Sequence, residues 1–133
     1  GRVELHMIPS AHPVSMDSEQ IYRVLNNLKD NALRYAGANP LILTLTVWRQ
    51  GDMECVRFAD NGHGVAQECL PRLFERFWRE DQARSSQNGE GSGLGLYIAK
   101  CIIEAHGGTI RVKNDGGLVF EIALPRREDD CHG

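Results

Sequence analysis

Hydrophobic and polar positions along the chain follow two spacings, one typical of strands and one typical of helices. Five segments are predicted to be β-strands, namely residues 3–9, 41–50, 53–59, 109–113 and 118–124. In residues 18–36 the apolar side chains recur at every third or fourth position, which predicts an amphipathic helix. Residues 92–106 are nearly apolar all round, as expected of a helix that is buried against a sheet.

Turn and capping residues mark the ends of these elements. Asp17 followed by Gln20 forms a capping box at the start of the first helix, and a short extended piece at residues 12–16 precedes it. Gly51 and Asp52 separate the second and third strands, which predicts a hairpin with a two-residue turn.

The segment between the third strand and the second helix has a mixed pattern. Residues 67–79 predict one or two short helices. Residues 80–90 are polar and lack periodicity, which predicts a mobile loop.

The order of the elements predicts the fold class. Strands and helices interleave, but neighbouring strands join as hairpins, so the sheet should be mixed and mainly antiparallel. We expect an α/β (α+β) two-layer sandwich in which about five strands are covered on one face by about three helices. A chain of 133 residues fits one domain, which we assign to residues 1–126, followed by a charged tail at residues 127–133.

Composition narrows the classes of partner. The chain is 41% hydrophobic and 25% charged with a net charge of −3, so its charge does not favour nucleic acid. No apolar run approaches the ~20 residues needed to span a bilayer, so we expect a soluble chain without membrane contact. The four cysteines include no CxxC pair, which argues against zinc and against a disulfide scaffold. We expect them to be reduced in the cytoplasm, with Cys55 and Cys101 in the core.

A polar stripe on the first helix is the first candidate for chemistry. Asn27, Asn31 and Arg34 lie along the edge of the arc that carries the apolar residues. The amide oxygen of Asn31 is a hard ligand suited to Mg²⁺, and Arg34 can hold phosphate oxygens. The same stripe also fits the solvated flank of an ordinary amphipathic helix.

Two glycine-containing segments supply further candidates. Asp60 directly follows a strand, where a carboxylate can accept a hydrogen bond from an exocyclic amine such as that of adenine. Residues 91–96 open a helix, whose free N–H groups suit phosphates. Residues 60–64 also fit a plain turn, and residues 91–95 also fit a glycine-rich helix start that serves packing alone.

Taken in order, these segments resemble the sequence boxes of the catalytic, ATP-binding domain of bacterial sensor histidine kinases, in the Bergerat-fold ATPase superfamily. Residues 27–35 look like its N box and residues 60–65 like its G1 box. Residues 73–79 look like its F box and residues 91–96 like its G2 box. The resemblance covers almost the whole chain, and four boxes in the right order make it specific.

The resemblance implies a role for each matched residue. Asn31 would ligate Mg²⁺ with Asn27 assisting, and Arg34 would contact phosphate. Arg79 completes the predicted catalytic set, because its position just before the polar loop lets it reach a phosphate. Asp60 would read the adenine amine, and residues 81–90 would form a flexible lid over ATP. The implied cofactor-binding residues are Asn31, Arg34, Tyr35, Asp60, Gly62, Gly64, Val65, Gly91, Ser92, Gly93, Leu94, Gly95 and Leu96.

This sequence differs from several other branches of the superfamily at the position of the general base. The gyrase, chaperone, mismatch-repair and anti-sigma-factor-kinase branches carry a glutamate four residues before the Mg²⁺ asparagine. Here that position is Asn27, whose amide cannot accept a proton. The site is therefore expected to hold ATP without readily hydrolysing it.

The phosphate acceptor is the part that the pattern lacks. None of the five histidines is followed by an acidic residue, so we expect the acceptor on a separate dimerisation domain of the same parent protein. The resemblance then implies a protein-histidine kinase of a two-component system, with ATP and Mg²⁺ as cofactors and a response regulator reached through the dimerisation domain. This chain would be monomeric, and the parent protein would be a homodimer. The chain would belong to the cytoplasmic part of a membrane-bound sensor.

Two alternative functions stay open. The first is a nucleotide-responsive interaction module without phosphotransfer, in which Phe74 and Trp78 would contact the partner. The second is a stand-alone ATPase.

Overall fold

The computed structural model describes residues 3–8, 18–76 and 94–125. In chain order its elements are strand β1 (Val3–Ile8), helix α1 (Ser18–Tyr35), strands β2 (Leu41–Gln50) and β3 (Met53–Asp60), a short 3-10 helix (Gln67–Arg72), helix α2 (Gly95–Ala105), and strands β4 (Thr109–Asn114) and β5 (Leu118–Pro125).

The five strands form one sheet in the order β1-β2-β3-β5-β4. Strand β1 runs parallel to β2, and the other neighbouring pairs are antiparallel, so the predicted mixed, mainly antiparallel sheet is confirmed. Gln50 pairs with Met53 across residues 51 and 52, as the two-residue turn requires. Because β3 and β5 are antiparallel neighbours, the C-terminal end of β3 lies beside the N-terminal end of β5.

The core lies between one face of the sheet and the helices. Val24, Leu28 and Ala32 of α1 are buried, as the apolar arc predicted. They belong to one hydrophobic cluster with alternate residues of β5, including Phe120 and Ile122. Because every second side chain of a strand points to the same face, this burial fixes which face of the sheet the helices cover.

Helix α2 is buried on one side only. Leu96, Ala99 and Ile103 are in the core, whereas Cys101 is exposed. The prediction that Cys101 is a core residue is therefore wrong, and the prediction for Cys55 is correct because Cys55 is buried in β3. At about 100° per residue, Cys101 lies on the side of the helix away from the other three.

Several predictions concern residues outside the described ranges. These are the extended piece at residues 12–16, the cap at Asp17, the loop at residues 80–90 and the tail at residues 127–133. The division into residues 1–126 and 127–133 stays a prediction. Among residues 3–8, 18–76 and 94–125, no helix has both the length and the apolar character needed to cross a membrane.

Candidate functional site

The loop that follows β3 lies directly on the C-terminal end of α1. The backbone N–H of His63 donates to the carbonyl of Ala36, at a distance of 3.1 Å. Gly62 packs so closely there that a Cβ atom would collide with the Ala36 carbonyl and lie 2.6 Å from the Ala36 Cβ. Residues 60–65 are therefore attached to the helix that carries Asn31 and Tyr35.

Asn61 fastens the same loop to the start of β2. Its side-chain oxygen accepts a hydrogen bond of 2.8 Å from the N–H of Ile42, and its side-chain nitrogen donates to the carbonyl of Pro40 at 3.0 Å. Asn61 was not predicted to have a role. Its place within an Asp-Asn-Gly turn was the only sequence signal for it.

Asp60 is the last residue of β3, and only 8% of it is exposed. Its Oδ1 accepts two backbone hydrogen bonds, from Gly62 at 2.8 Å and from Leu118 at 3.1 Å. Within the described part of the chain, both bonds go to the same oxygen. The carboxylate is therefore held from one side, and its Oδ2 is left for a further donor.

The N-terminal end of β5 approaches Asp60 closely because Gly117 has no side chain. A Cβ atom on Gly117 would collide with the Asp60 carbonyl and lie 2.6 Å from its Oδ1. The backbone of Gly117 also has φ +135°, a conformation that other L-residues rarely adopt. Glycine at this position therefore lets the N–H of Leu118 reach the Asp60 carboxylate.

The polar stripe of α1 extends from this loop to the start of α2. Asn27, Asn31 and Tyr35 are half-buried, and Arg34 is exposed. The side-chain nitrogen of Asn27 donates to the carbonyl of Gly95, the first residue of α2, at 3.1 Å. One helix thus contacts both the loop after β3 and the beginning of α2.

The predicted site residues separate into three groups. One group lies on α1, in the loop after β3 and at the start of α2: Asn27, Asn31, Arg34, Tyr35, Asp60, Gly62, Gly64, Val65, Leu94 and Gly95. Leu96 is buried in the hydrophobic cluster, where its side chain serves packing. Arg79, Gly91, Ser92 and Gly93 are outside the described residues.

The aromatic residue that the structure describes in the F-box segment packs inward. The Phe74 ring meets the Phe120 ring edge-on, with centroids 6.1 Å apart, and Lys100 Nζ lies 5.7 Å from the Phe74 centroid. Phe77 and Trp78 are outside the described ranges. Phe74 is therefore joined to the core.

No group of three or more histidine, cysteine, aspartate or glutamate side chains suited to a metal occurs in residues 3–8, 18–76 and 94–125. The oxygen donors that the polar stripe offers are the side-chain amides of Asn27 and Asn31. Amide oxygens are hard ligands, and Mg²⁺ commonly takes few protein ligands and keeps several waters.

The chain matches the family model described as "Histidine kinase-, DNA gyrase B-, and HSP90-like ATPase" over residues 16–128. It is 40% identical over 130 residues to the sensor protein VanS of Enterococcus faecium. That match covers 97% of this chain and 33% of VanS, so the chain spans about a third of that relative.

Solved structures with the same fold include the histidine kinase ThkA and a second protein, ShkA. The nucleotide-free catalytic domain of ThkA superimposes with a TM-score of 0.75 at 26% identity, covering 93% of this chain and 79% of that one. Full-length ShkA in complex with AMPPNP gives a TM-score of 0.74 at 27% identity, covering 92% of this chain and 25% of that one. ThkA has also been solved in complex with the response regulator protein TrrA, with a TM-score of 0.71 at 25% identity, covering 96% of this chain and 35% of that one.

Proposed function

Because this chain belongs to the family of histidine kinase-, DNA gyrase B- and HSP90-like ATPases, we propose that it binds Mg·ATP and delivers the γ-phosphate to a histidine on a separate dimerisation domain. Its relative VanS is a sensor protein, and its structural neighbour ThkA is a histidine kinase. The proposed setting is two-component signal transduction on the cytoplasmic side of a sensor.

The environment of the Asp60 carboxylate is the observation on which the proposal depends most. The two backbone donors hold Oδ1, so Oδ2 is available to accept a hydrogen bond from the adenine amino group. Only 8% of Asp60 is exposed, so a hydrogen bond that a ligand makes to Oδ2 lies in a poorly solvated environment, where it is stronger than in water. A ligand that supplies an N–H group there gains from this environment. ShkA was solved with AMPPNP, an ATP analogue, which agrees with a nucleotide ligand.

The side-chain amide oxygens on α1 are suitable ligands for a magnesium ion. Asn31 would hold the metal through its amide oxygen, and Asn27, one turn earlier, would assist. When bound, Mg²⁺ would offset the negative charge of the phosphate oxygens. Arg34 lies on the same stripe and would contact phosphate, as would Arg79. Tyr35 would line the nucleotide pocket, together with the backbone of residues 62–65 and 91–96.

Phosphoryl transfer in this proposal depends on positioning and charge neutralisation. An imidazole nitrogen of the acceptor attacks the γ-phosphorus, a P–N bond forms, the bond to the β–γ bridging oxygen breaks, and ADP leaves. Asn27 occupies the position at which related ATPases carry a glutamate that acts as general base. The amide of Asn27 cannot accept a proton and therefore cannot activate water. The site therefore favours transfer to the acceptor over hydrolysis. The phosphoryl group would then pass to a response regulator, the class of protein with which ThkA was solved.

Calorimetric titration of Mg·ATP into wild type and Asp60→Asn tests nucleotide recognition. An asparagine oxygen can keep the bonds from Gly62 and Leu118, but its NH₂ group would then face the adenine amine. We expect at least about tenfold weaker binding, which corresponds to about 1.4 kcal/mol. Asp52→Asn is the matched control, because Asp52 is exposed in the β2–β3 turn. Unchanged affinity for Asp60→Asn would remove the assignment.

Labelled ATP and a separately produced dimerisation domain of the parent protein test the transfer step. Acid-labile, alkali-stable label on that domain would support a histidine kinase. ATP binding without label would favour the interaction module, and steady release of inorganic phosphate would favour the stand-alone ATPase.

A further inference from the structure

The turn between β4 and β5 contacts the loop after β3 through a side chain. Asn114 ends β4, and its side-chain oxygen accepts a hydrogen bond of 3.0 Å from the N–H of Val65. Its side-chain nitrogen donates to the carbonyl of the same Val65, at 2.8 Å. The amide of Asn114 therefore satisfies both backbone groups of one residue, as a neighbouring strand would.

Close packing accompanies these two hydrogen bonds. A Cβ atom on Gly64 would collide with the side-chain oxygen of Asn114, so this residue must be glycine for the amide to reach Val65. Val65 itself packs against the hydrophobic cluster. The backbone of residues 64 and 65 is therefore held between the core and the Asn114 amide.

The same turn also holds the other end of the loop. Leu118, at the start of β5, donates its N–H to Asp60 Oδ1, as described above. Asn114 and Leu118 are paired residues of the β4–β5 hairpin. One hairpin thus holds the loop at Asp60 and again at Val65, five residues later in sequence.

We propose that Asn114 is a positioning residue for recognition of the adenine base. This inference rests on the proposed function, since it assigns a residue to the same nucleotide site. Asn114 keeps residues 64 and 65 in the conformation that forms the base pocket beside Asp60. Without it, the loop would have to be ordered when nucleotide binds, and binding would lose the corresponding free energy.

The ratio of ATP affinity to GTP affinity distinguishes a positioning role of Asn114 from a purely structural one. Guanine carries a carbonyl oxygen where adenine carries its amine, so Asp60 should disfavour GTP. A loosened loop lowers affinity for ATP and leaves contacts to the triphosphate in place. The ratio of ATP to GTP affinity should therefore fall, whereas general destabilisation would weaken both nucleotides equally.

The test is calorimetry with Mg·ATP, Mg·GTP and tripolyphosphate on the 133-residue chain. For Asn114→Ala we expect about tenfold weaker binding of ATP. Affinities for GTP and tripolyphosphate should stay within about twofold of wild type. Asn114→Asp keeps an acceptor for the Val65 N–H but loses the donor to its carbonyl, so its ATP affinity should lie between those of wild type and Asn114→Ala.

Lys113→Ala is the matched control, because Lys113 precedes Asn114 but pairs with Glu121 on the opposite face of the sheet. It should bind all three ligands as wild type does. Wild-type ATP affinity in Asn114→Ala, or equal losses for ATP and tripolyphosphate, would overturn the positioning role alone. Failure of wild type to bind ATP at all would overturn the proposed function.

Discussion

The side-chain nitrogen of Asn27 donates a hydrogen bond of 3.1 Å to the carbonyl of Gly95. The two residues are 68 positions apart in sequence, and the bond joins the middle of α1 to the first turn of α2. An amide that donates through its nitrogen keeps its oxygen for another partner. Asn27 can therefore connect the two helices and also assist the metal as proposed.

Removal of the Asn27 amide should lower stability. For Asn27→Ala we expect a loss of about 1 kcal/mol and a fall in melting temperature of about 2–5 °C, because one hydrogen bond between helices disappears. Thermal unfolding followed by circular dichroism measures this change. Asn26→Ala, at the adjacent position of the same helix, is the control. An unchanged melting temperature would mean that the bond to Gly95 contributes nothing.

Asn31 should account for the magnesium dependence of nucleotide binding. In wild type, ATP affinity measured with Mg²⁺ should exceed that measured in EDTA, because Asn31 would supply an amide oxygen to the metal. In Asn31→Ala this ratio should approach one. Asn26→Ala again serves as the control and should keep the wild-type ratio. A wild-type magnesium ratio in Asn31→Ala would exclude this residue as a ligand.

The periodicity of the sequence was sufficient to predict the five strands and the buried face of α1. The strands, the β2–β3 turn and the arc containing Val24 and Leu28 follow from local spacing, which each segment carries by itself. The burial of α2 was harder to predict, because its apolar residues are not confined to one arc. Cys101 was therefore assigned to the core although it is exposed.

The polar stripe of α1, Asp60 and residues 91–96 were candidates from the sequence pattern, and the resemblance assigned roles to them and added the remaining site residues. The contacts that support these residues came from the structure alone. Asn114 and Val65 are 49 positions apart, and Leu118 and Asp60 are 58 apart. Such contacts depend on the strand order, which places β5 beside β3, and local spacing does not encode that order. The contact of Asn114 with Val65 consequently could not be predicted from the sequence.

Gly62 should be sterically required. In Gly62→Ala the new methyl group would collide with the Ala36 carbonyl, so the loop must move away from α1. We expect a loss of about 1–3 kcal/mol of stability, together with weaker ATP binding. Gly51→Ala is an informative control: no atom lies within 4 Å of its added Cβ, but φ is +60°.

Gly51→Ala should therefore lose about 1 kcal/mol of stability through backbone strain and keep wild-type ATP affinity. Chemical denaturation and calorimetry on the same samples separate the two effects. A Gly62→Ala variant that binds ATP like wild type would show that the contact with Ala36 does not shape the site.

Thiol reactivity should distinguish the two cysteines whose positions were predicted alike. Burial raises the pKa of the Cys55 thiol above its ordinary value of 9.0, and the charge of the neighbouring Glu54 raises it further. A raised pKa leaves less reactive thiolate at a given pH, so alkylation of Cys55 should be slow at pH 8 and accelerate above pH 9. In single-cysteine variants followed by mass spectrometry, Cys101 should react with iodoacetamide at least about tenfold faster at pH 8, because it is exposed. Equal rates would contradict the packing of Cys55 in β3.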